Sequence, residues 1–280
     1  MSLLSPDSLL LYLAPDKVQA VQLHGWRKRI AGLHQLPVNA QSTDDWQALL
    51  EATLRLVKTL GPQRVRVVLS DQLVRYFCVP WRGELRNAAE ELAFARLSFE
   101  DTYGAGSGAD WRMIFSNEAP GLTRLTAAVP EGLITGLQDG LKGAKVRLTS
   151  VRPLLAAAVQ VFSKSLPSSG WIMSHEPTRL SIAGWDAAGW RWVSSSRVPG
   201  STPKDRLVAR LQQELTLAGA WPVAGIAPTQ VFICAPTLTA QGWPALDGLQ
   251  LTAWKLPTEG AGQTDAKMAE FGHAMLGVLS

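Results

Sequence analysis

Cysteine is scarce: the chain of 280 residues has two, Cys78 and Cys234. Both fall in apolar runs that read as strands, which excludes a disulfide-stapled scaffold and points to buried free thiols in a reducing compartment. Runs of like charge are missing too. The 27 basic and 23 acidic residues leave a formal net charge of +4. Nucleic-acid binders concentrate charge in a face or tail and carry recognisable motifs; neither is evident, and no nucleic-acid partner is expected. The longest apolar run, Leu154–Phe162, is interrupted by Gln160 and falls far short of the ~20 residues of a membrane helix. No basic region precedes the N-terminal apolar residues, as a secretory signal requires. The expectation is a soluble, cytoplasmic protein.

Recognisable reactive chemistry is also absent. No Gly-Lys-Ser/Thr phosphate loop and no Gly-x-Ser-x-Gly elbow occurs. The glycine-rich stretch 104–108 follows a helix and precedes a strand, the reverse of a dinucleotide fingerprint, and reads as a loop. The four histidines show no ligand spacing, so His175 beside Glu176 reads as a surface turn residue. Ser194–Ser196 reads as a strand end. No catalytic, metal or cofactor residue is assigned.

What is present is a 46% hydrophobic, globular composition with clear element signals. Val65–Leu69 is an almost wholly apolar strand, stopped by Ser70, Asp71 and Gln72, small polar residues of the kind that mark a crevice at an α/β sheet edge. A second strand, Leu73–Val79, ends at Pro80, which cannot donate to a ladder. Before them come strands at Ser8–Leu13, Val18–Leu23 and Trp26–Leu36. A helix over Trp46–Leu60 follows, with Ser42 as its cap and Asp45 at the capping-box position. After them come a helix over Glu84–Asp101, strands Trp111–Phe115 and Leu122–Val129, a helix Pro130–Leu141, a strand Val146–Val151 and an alanine-rich helix Pro153–Phe162. Beyond Pro167–Gly170 the order begins again. Strands Trp171–Ser174, Arg179–Gly184 and Gly189–Ser194 lead to a helix capped by Thr202, strands Gln230–Cys234 and Leu249–Trp254, and a helix Thr264–Leu279.

Strand–strand–strand–helix–strand therefore occurs twice. This implies an α/β fold of two actin-like lobes (duplicated βββαβ), 1–166 and 167–280, with an insertion at about 84–129. Together with the Val65–Leu69 strand, the Ser70-Asp71 break, Val79-Pro80-Trp81 and the Thr149–Pro153 entry to the alanine-rich helix, the order resembles the PilM, MshI and GspL-cytoplasmic-domain family of type IV pilus and type II secretion assembly proteins. The resemblance implies a scaffold at the cytoplasmic face of the inner membrane that docks the short tail of a membrane protein or an assembly ATPase, with membrane association only through such partners.

An actin-like site holds phosphates with two hairpin turns bearing glycine and aspartate. Here the first turn is 13–17, with Pro15 and a solvated Asp16. The second is 174–178, with Pro177, and Cys234-Ala-Pro236 replaces the glycine pair expected at the adenosine. No nucleotide cofactor is expected, and the degenerate site argues for a non-catalytic protein. The competing class is an actin-like ATPase or kinase with divergent motifs. Docking is expected beside Leu73–Arg82, with Trp81 as anchor and Arg75, Arg82 and Arg86 as a basic rim. The eleven tryptophans are read either as core or as a docking surface, with Trp190 and Trp192 on one strand face.

Overall fold

The computed structural model describes residues 7–25, 29–39, 46–220, 229–238, 241–255 and 270–276. Strands β1 (Ser8–Ala14), β2 (Lys17–His24) and β3 (Arg29–Pro37) form an antiparallel meander. The Pro15-Asp16 turn joins the first two. Helix α1 (Trp46–Leu60) returns the chain to β4 (Arg64–Leu69), which lies parallel to β1. The sheet is completed by β8 (Arg147–Pro153), parallel to β4, in the order β3-β2-β1-β4-β8. Leu9, Leu10, Leu11, Tyr12 and Leu13 are all buried, as the apolar run of β1 requires of a strand covered on both faces.

The second lobe repeats this. Strands β9 (Gly170–Glu176), β10 (Arg179–Asp186) and β11 (Gly189–Arg197) are antiparallel. Helix α5 (Lys204–Leu217) leads to β12 (Thr229–Cys234), parallel to β9, and β13 (Leu249–Ala253) follows in the order β11-β10-β9-β12-β13. The lobes exchange their last helices. Helix α4 (Leu154–Phe162), which follows β8, packs on β9, and the helical turn Gly272–Met275 packs on β1, β2 and β4. One apolar core consequently runs through both lobes, from Leu11 and Val67 to Ile172 and Phe232.

Between β4 and β8 the chain builds a third sheet of β5 (Arg75–Val79), β6 (Trp111–Phe115) and β7 (Arg124–Pro130), in the order β5-β7-β6. Helix α2 (Ala88–Tyr103) covers one face through Ala95 and Phe99, which pack with Phe77, Met113 and Ala128. Its start is later than the expected Glu84. Asn87 accepts from Ala89 N and Glu90 N at 3.0 Å, and Glu90 reaches back to Arg86 N at 2.8 Å, so an Asn-x-x-Glu cap fixes the boundary. Helix α3 (Glu131–Gly143) then runs beside α1 in the same direction. Gly132, Gly136 and Gly140 leave room for the side chains of Trp46, Leu50 and Leu54.

Two expectations are corrected. Thr202 does not cap α5: its hydroxyl donates to Pro199 O at 2.5 Å, and Pro203 holds the cap position without a side-chain bond. Trp190 and Trp192 do not act as one aromatic face. A bulge pairs Trp185 with Trp190 but Gly184 with Trp192, leaving Arg191 extra. Trp190 then donates to Glu118 at 2.8 Å and Trp192 to Glu214 in α5 at 3.1 Å. The Ser42 cap, Asp45 and Trp26 lie outside the described residues, as does most of the expected helix over Thr264–Leu279.

The second lobe also grips the small sheet. Beyond Val79, where Pro80 ends β5, Thr123 N donates to Ala188 O and Trp190 N to Thr123 O, both at 3.0 Å. Cα atoms of β11 and β5 lie within 8 Å, closer than the ~10 Å of stacked sheets. Gly189 permits this, with φ of 97° and a virtual Cβ that would collide with Thr123 O and stand 2.7 Å from Thr123 N. Gly189→Ala is expected to lower unfolding free energy by roughly 2 kcal/mol, read by urea denaturation, whereas Gly61→Ala, at φ of 58° in open space, loses less.

Candidate functional site

The Ser70-Asp71 break lies at the junction of the lobes. Ser70 Oγ accepts from Gln72 N at 3.1 Å and caps a single 3-10 turn, Asp71–Leu73. Asp71 is buried. Its Oδ1 accepts from Tyr76 Oη at 2.5 Å and from Leu155 N, in the first turn of α4, at 3.1 Å. Its Oδ2 accepts from Ser174 Oγ of β9 at 3.0 Å. Glu176, the last residue of β9, answers from the second lobe. Its Oε1 accepts from the Tyr12 hydroxyl of β1 and its Oε2 from Asp71 N at 3.1 Å. Each lobe's carboxyl group thus takes a bond from the other lobe, Asp71 from Ser174 and Glu176 from Tyr12 and Asp71 N. His273 stacks on Tyr12 with centroids 4.9 Å apart, and its Nε2–H donates to His175 O at 3.0 Å.

Burial governs the protonation of this seam. It raises the Glu176 pKa to about 8, helped by the nearby Asp71 charge and opposed by the Tyr12 bond. Asp71 is also raised by burial, while bonds from Tyr76, Leu155 and Ser174 favour its anion. No cationic side chain bonds either group among the described residues, so burial and mutual repulsion favour retaining a proton on the pair. Burial raises both tyrosines well above their ordinary value. It also lowers His175 and His273 to about 4, which leaves both rings neutral.

His175 is therefore not a surface turn residue. It is 2% exposed within β9, and neither ring nitrogen has a partner among the described residues. The turn itself is only Pro177-Thr178, between Glu176 and Arg179. Asp16 is exposed, and its carbonyl accepts from Val38 N at 2.8 Å. In an actin-like fold a nucleotide sits between these two hairpins; here the side chains of Tyr12 and Glu176 meet there. Sequence reasoning found Asp71 as a crevice marker but missed Tyr12, Tyr76, Ser174 and Glu176.

The four expected docking residues do not form one cluster. Trp81 is 46% exposed and lines a shallow groove with Arg82, Leu85, Phe94 and Phe115. The Arg82 guanidinium lies 5.6 Å from the Phe94 ring centroid. Arg86 is exposed nearby, just before the α2 cap. Arg75 stands at the other end of β5, about 13 Å along the strand, over the rings of Tyr103 and Trp111 at 5.4 and 5.8 Å. β5 runs beside β11, which leaves little room for an added strand at its edge.

A second groove, of about 470 Å³, separates β6 from β8 over α3. Its walls are the unpaired edges of the small and large sheets, with Ile114, Leu148 and Val151 beside Thr149, Ser150 and Lys142. Arg112 at its rim is engaged by Glu131, Nε to Oε2 at 2.9 Å. On the second lobe Trp171, Trp185 and Trp192 border a hollow of about 760 Å³.

No family model and no curated protein matches the sequence. Solved structures do. A PilM–PilN type IV pilus biogenesis complex is 13% identical with TM-score 0.60, covering 97% of both chains. The cytoplasmic domain of EpsL, an inner membrane component of the type II secretion system of Vibrio cholerae, is 14% identical with TM-score 0.52, covering 98% of this chain and 95% of that one. A Bacteroides thetaiotaomicron protein with actin-like ATPase fold is 10% identical with TM-score 0.52, covering 81% of each chain. The fold is the two-lobed actin-like one.

The seam makes a pH profile testable. A carboxyl with raised native pKa binds more proton folded than unfolded, so its stabilisation is full below about 4.5 and is lost as pH climbs toward about 8. The depressed histidines act oppositely, adding stability as pH rises from about 4 to about 6.5. Between pH 6.5 and 8 the carboxyl effect acts alone. Unfolding free energy is expected to fall by up to ~2 kcal/mol over that interval, and Glu176→Gln to flatten the decline in a denaturant series.

Proposed function

We propose that this chain is a non-catalytic actin-like scaffold of a type IV pilus or type II secretion assembly platform, built as lobes 1–166 and 167–280. In this reading it works at the cytoplasmic face of the inner membrane and docks the short tail of a membrane protein, with an assembly ATPase as a further partner. The observation that carries it is the occupied junction: the Tyr12–Glu176 and Asp71–Ser174 bonds fill the place between the hairpins with the protein's own side chains. The fold likeness to PilM and EpsL supports the same reading. No described helix is long and apolar enough to cross a membrane, which accords with attachment through a partner.

The tail enters the β6–β8 groove as an added strand, using backbone groups of the two open edges, while Ile114, Leu148 and Val151 receive its apolar side chains. Trp81, Arg82 and Arg86 form a separate face suited to an acidic partner surface, with Trp81 as the anchor. Arg75 belongs to neither.

Two measurements follow. ATP with Mg²⁺ is expected to leave the melting temperature unchanged, because binding would raise it by mass action. A reproducible rise of several degrees that Asp16→Ala or Asp71→Asn abolishes would favour the ATPase or kinase reading, in which the two buried carboxyl groups handle phosphate and metal. For docking, Ile114→Glu is expected to weaken capture of the cognate tail peptide by roughly tenfold or more, with Trp81→Ala leaving tail capture intact. Trp81→Ala should instead weaken the second partner by about 2 kcal/mol without the roughly 3–5 kcal/mol stability loss of a core tryptophan, read by titration beside a thermal melt.

A further inference from the structure

The outer pole of the first lobe, opposite the seam, carries concentrated charge. β1, β4 and β8 all begin there, β2 ends there and β3 starts there. Arg64 and Arg147 are register neighbours on β4 and β8, and Arg29 pairs with His24 at the same end. Helices α1 and α3, running in the same direction, both finish at this pole and bring Lys58 and Lys142, with Lys145 in the turn after α3. All six cations are exposed, and among the described residues none has an ion-pair partner.

Opposing them are Asp139 on α3 and Asp7, which is bound by His24. Among the described residues the pole therefore holds four unbalanced positive charges, as many as the net +4 of the whole chain. The ends of the five strands alone spread this charge over about 19 Å. The large apolar side chains exposed among the described residues, Trp81, Leu97, Tyr103 and Leu217, lie elsewhere. Peptide docking takes most of its energy from buried apolar anchors, and the described residues of this pole supply none. A broad, predominantly cationic face instead matches a surface of anionic headgroups, where each basic residue near the bilayer contributes independently.

We infer that the outer pole of the first lobe, through Arg64, Lys145 and Arg147 with Arg29, Lys58 and Lys142, binds the surface of an anionic lipid bilayer directly. This goes beyond attachment through a partner and orients the protein with its first lobe toward the membrane. The contact is electrostatic, weak and salt-sensitive, so it acts together with a docked tail.

The test is flotation of the protein alone with phosphatidylglycerol–phosphatidylcholine vesicles, beside pure phosphatidylcholine. Binding is expected only to the anionic vesicles, with loss at about 0.5 M salt. Arg64→Glu/Lys145→Glu/Arg147→Glu should reduce it by roughly tenfold or more, while the charge-matched Arg75→Glu/Arg197→Glu/Arg206→Glu retains it. Should the first variant melt early, Arg64→Gln/Arg147→Gln serves in its place and a partial loss is expected. Absence of flotation, equal loss in both variants, or capture of a polyglutamate peptide without vesicle binding would overturn the inference. No tail is present in the assay, so its failure leaves tail docking in the β6–β8 groove untouched.

Discussion

The crossed carboxyl bonds between the lobes are the constraint on which the rest depends. Asp71 belongs to the first lobe and takes a bond from Ser174 of the second; Glu176 belongs to the second and takes bonds from Tyr12 and Asp71 N of the first. Buried carboxyl groups are tolerated only when bonded or neutral, and parting the lobes would cost Glu176 both of its bonds and Asp71 its Ser174 bond at once. Exchange of α4 and the Gly272–Met275 turn between lobes places a helix N-terminus on Asp71 and an imidazole on Tyr12. The seam is therefore assembled only when both lobes and both exchanged helices are in place, which makes it a reporter of the whole fold.

The same closure separates this molecule from a hinge. A two-lobed protein that cycles must break and remake its interlobe contacts with a ligand that discriminates between the states. Here those contacts are fully desolvated, and a second bridge at Thr123–Gly189 ties the small sheet to β11. The described geometry favours a rigid body whose working surfaces lie outside the junction. On the function proposed here, rigidity is useful: a groove between two sheet edges accepts an extended segment at low entropic cost only if both edges are held in register beforehand.

The order of the elements was legible because each strand's burial follows from its own residues. β1 is apolar on both faces, β4 is apolar beyond Arg66, Pro80 stops β5, and Gly61 and Gly219 follow helix ends. The Asn87 cap was also legible, through Glu90 three residues on. The seam was not. Asp71 and Glu176 are 105 residues apart, and Ser174-His175-Glu176 has the composition of an exposed turn. Its burial makes sense only beside Tyr12 and Asp71, which local pattern cannot bring together. The tryptophan pair failed for another reason: period-2 alternation holds only while register holds, and the extra Arg191 breaks it.

The docking residues show the same limit on the surface. Proximity in sequence put Arg75, Trp81, Arg82 and Arg86 together, yet a strand of five residues carries Arg75 to the C-terminal end of α2 while Arg86 stays at its start. Conversely Arg64 and Arg147 are far apart in the chain and adjacent in the sheet, as parallel pairing demands when a crossover returns each strand to the same end. Because α1 and α3 return the chain to β4 and β8, their C-termini must share that end as well. Cations there meet the negative ends of both helix dipoles, which favours Lys58 and Lys142 in the last turns. Helix dipoles fade within a turn, however, and Arg64, Lys145 and Arg147 lie beyond the last turns. Charge in excess of what the helices need is what remains available to an external anionic surface.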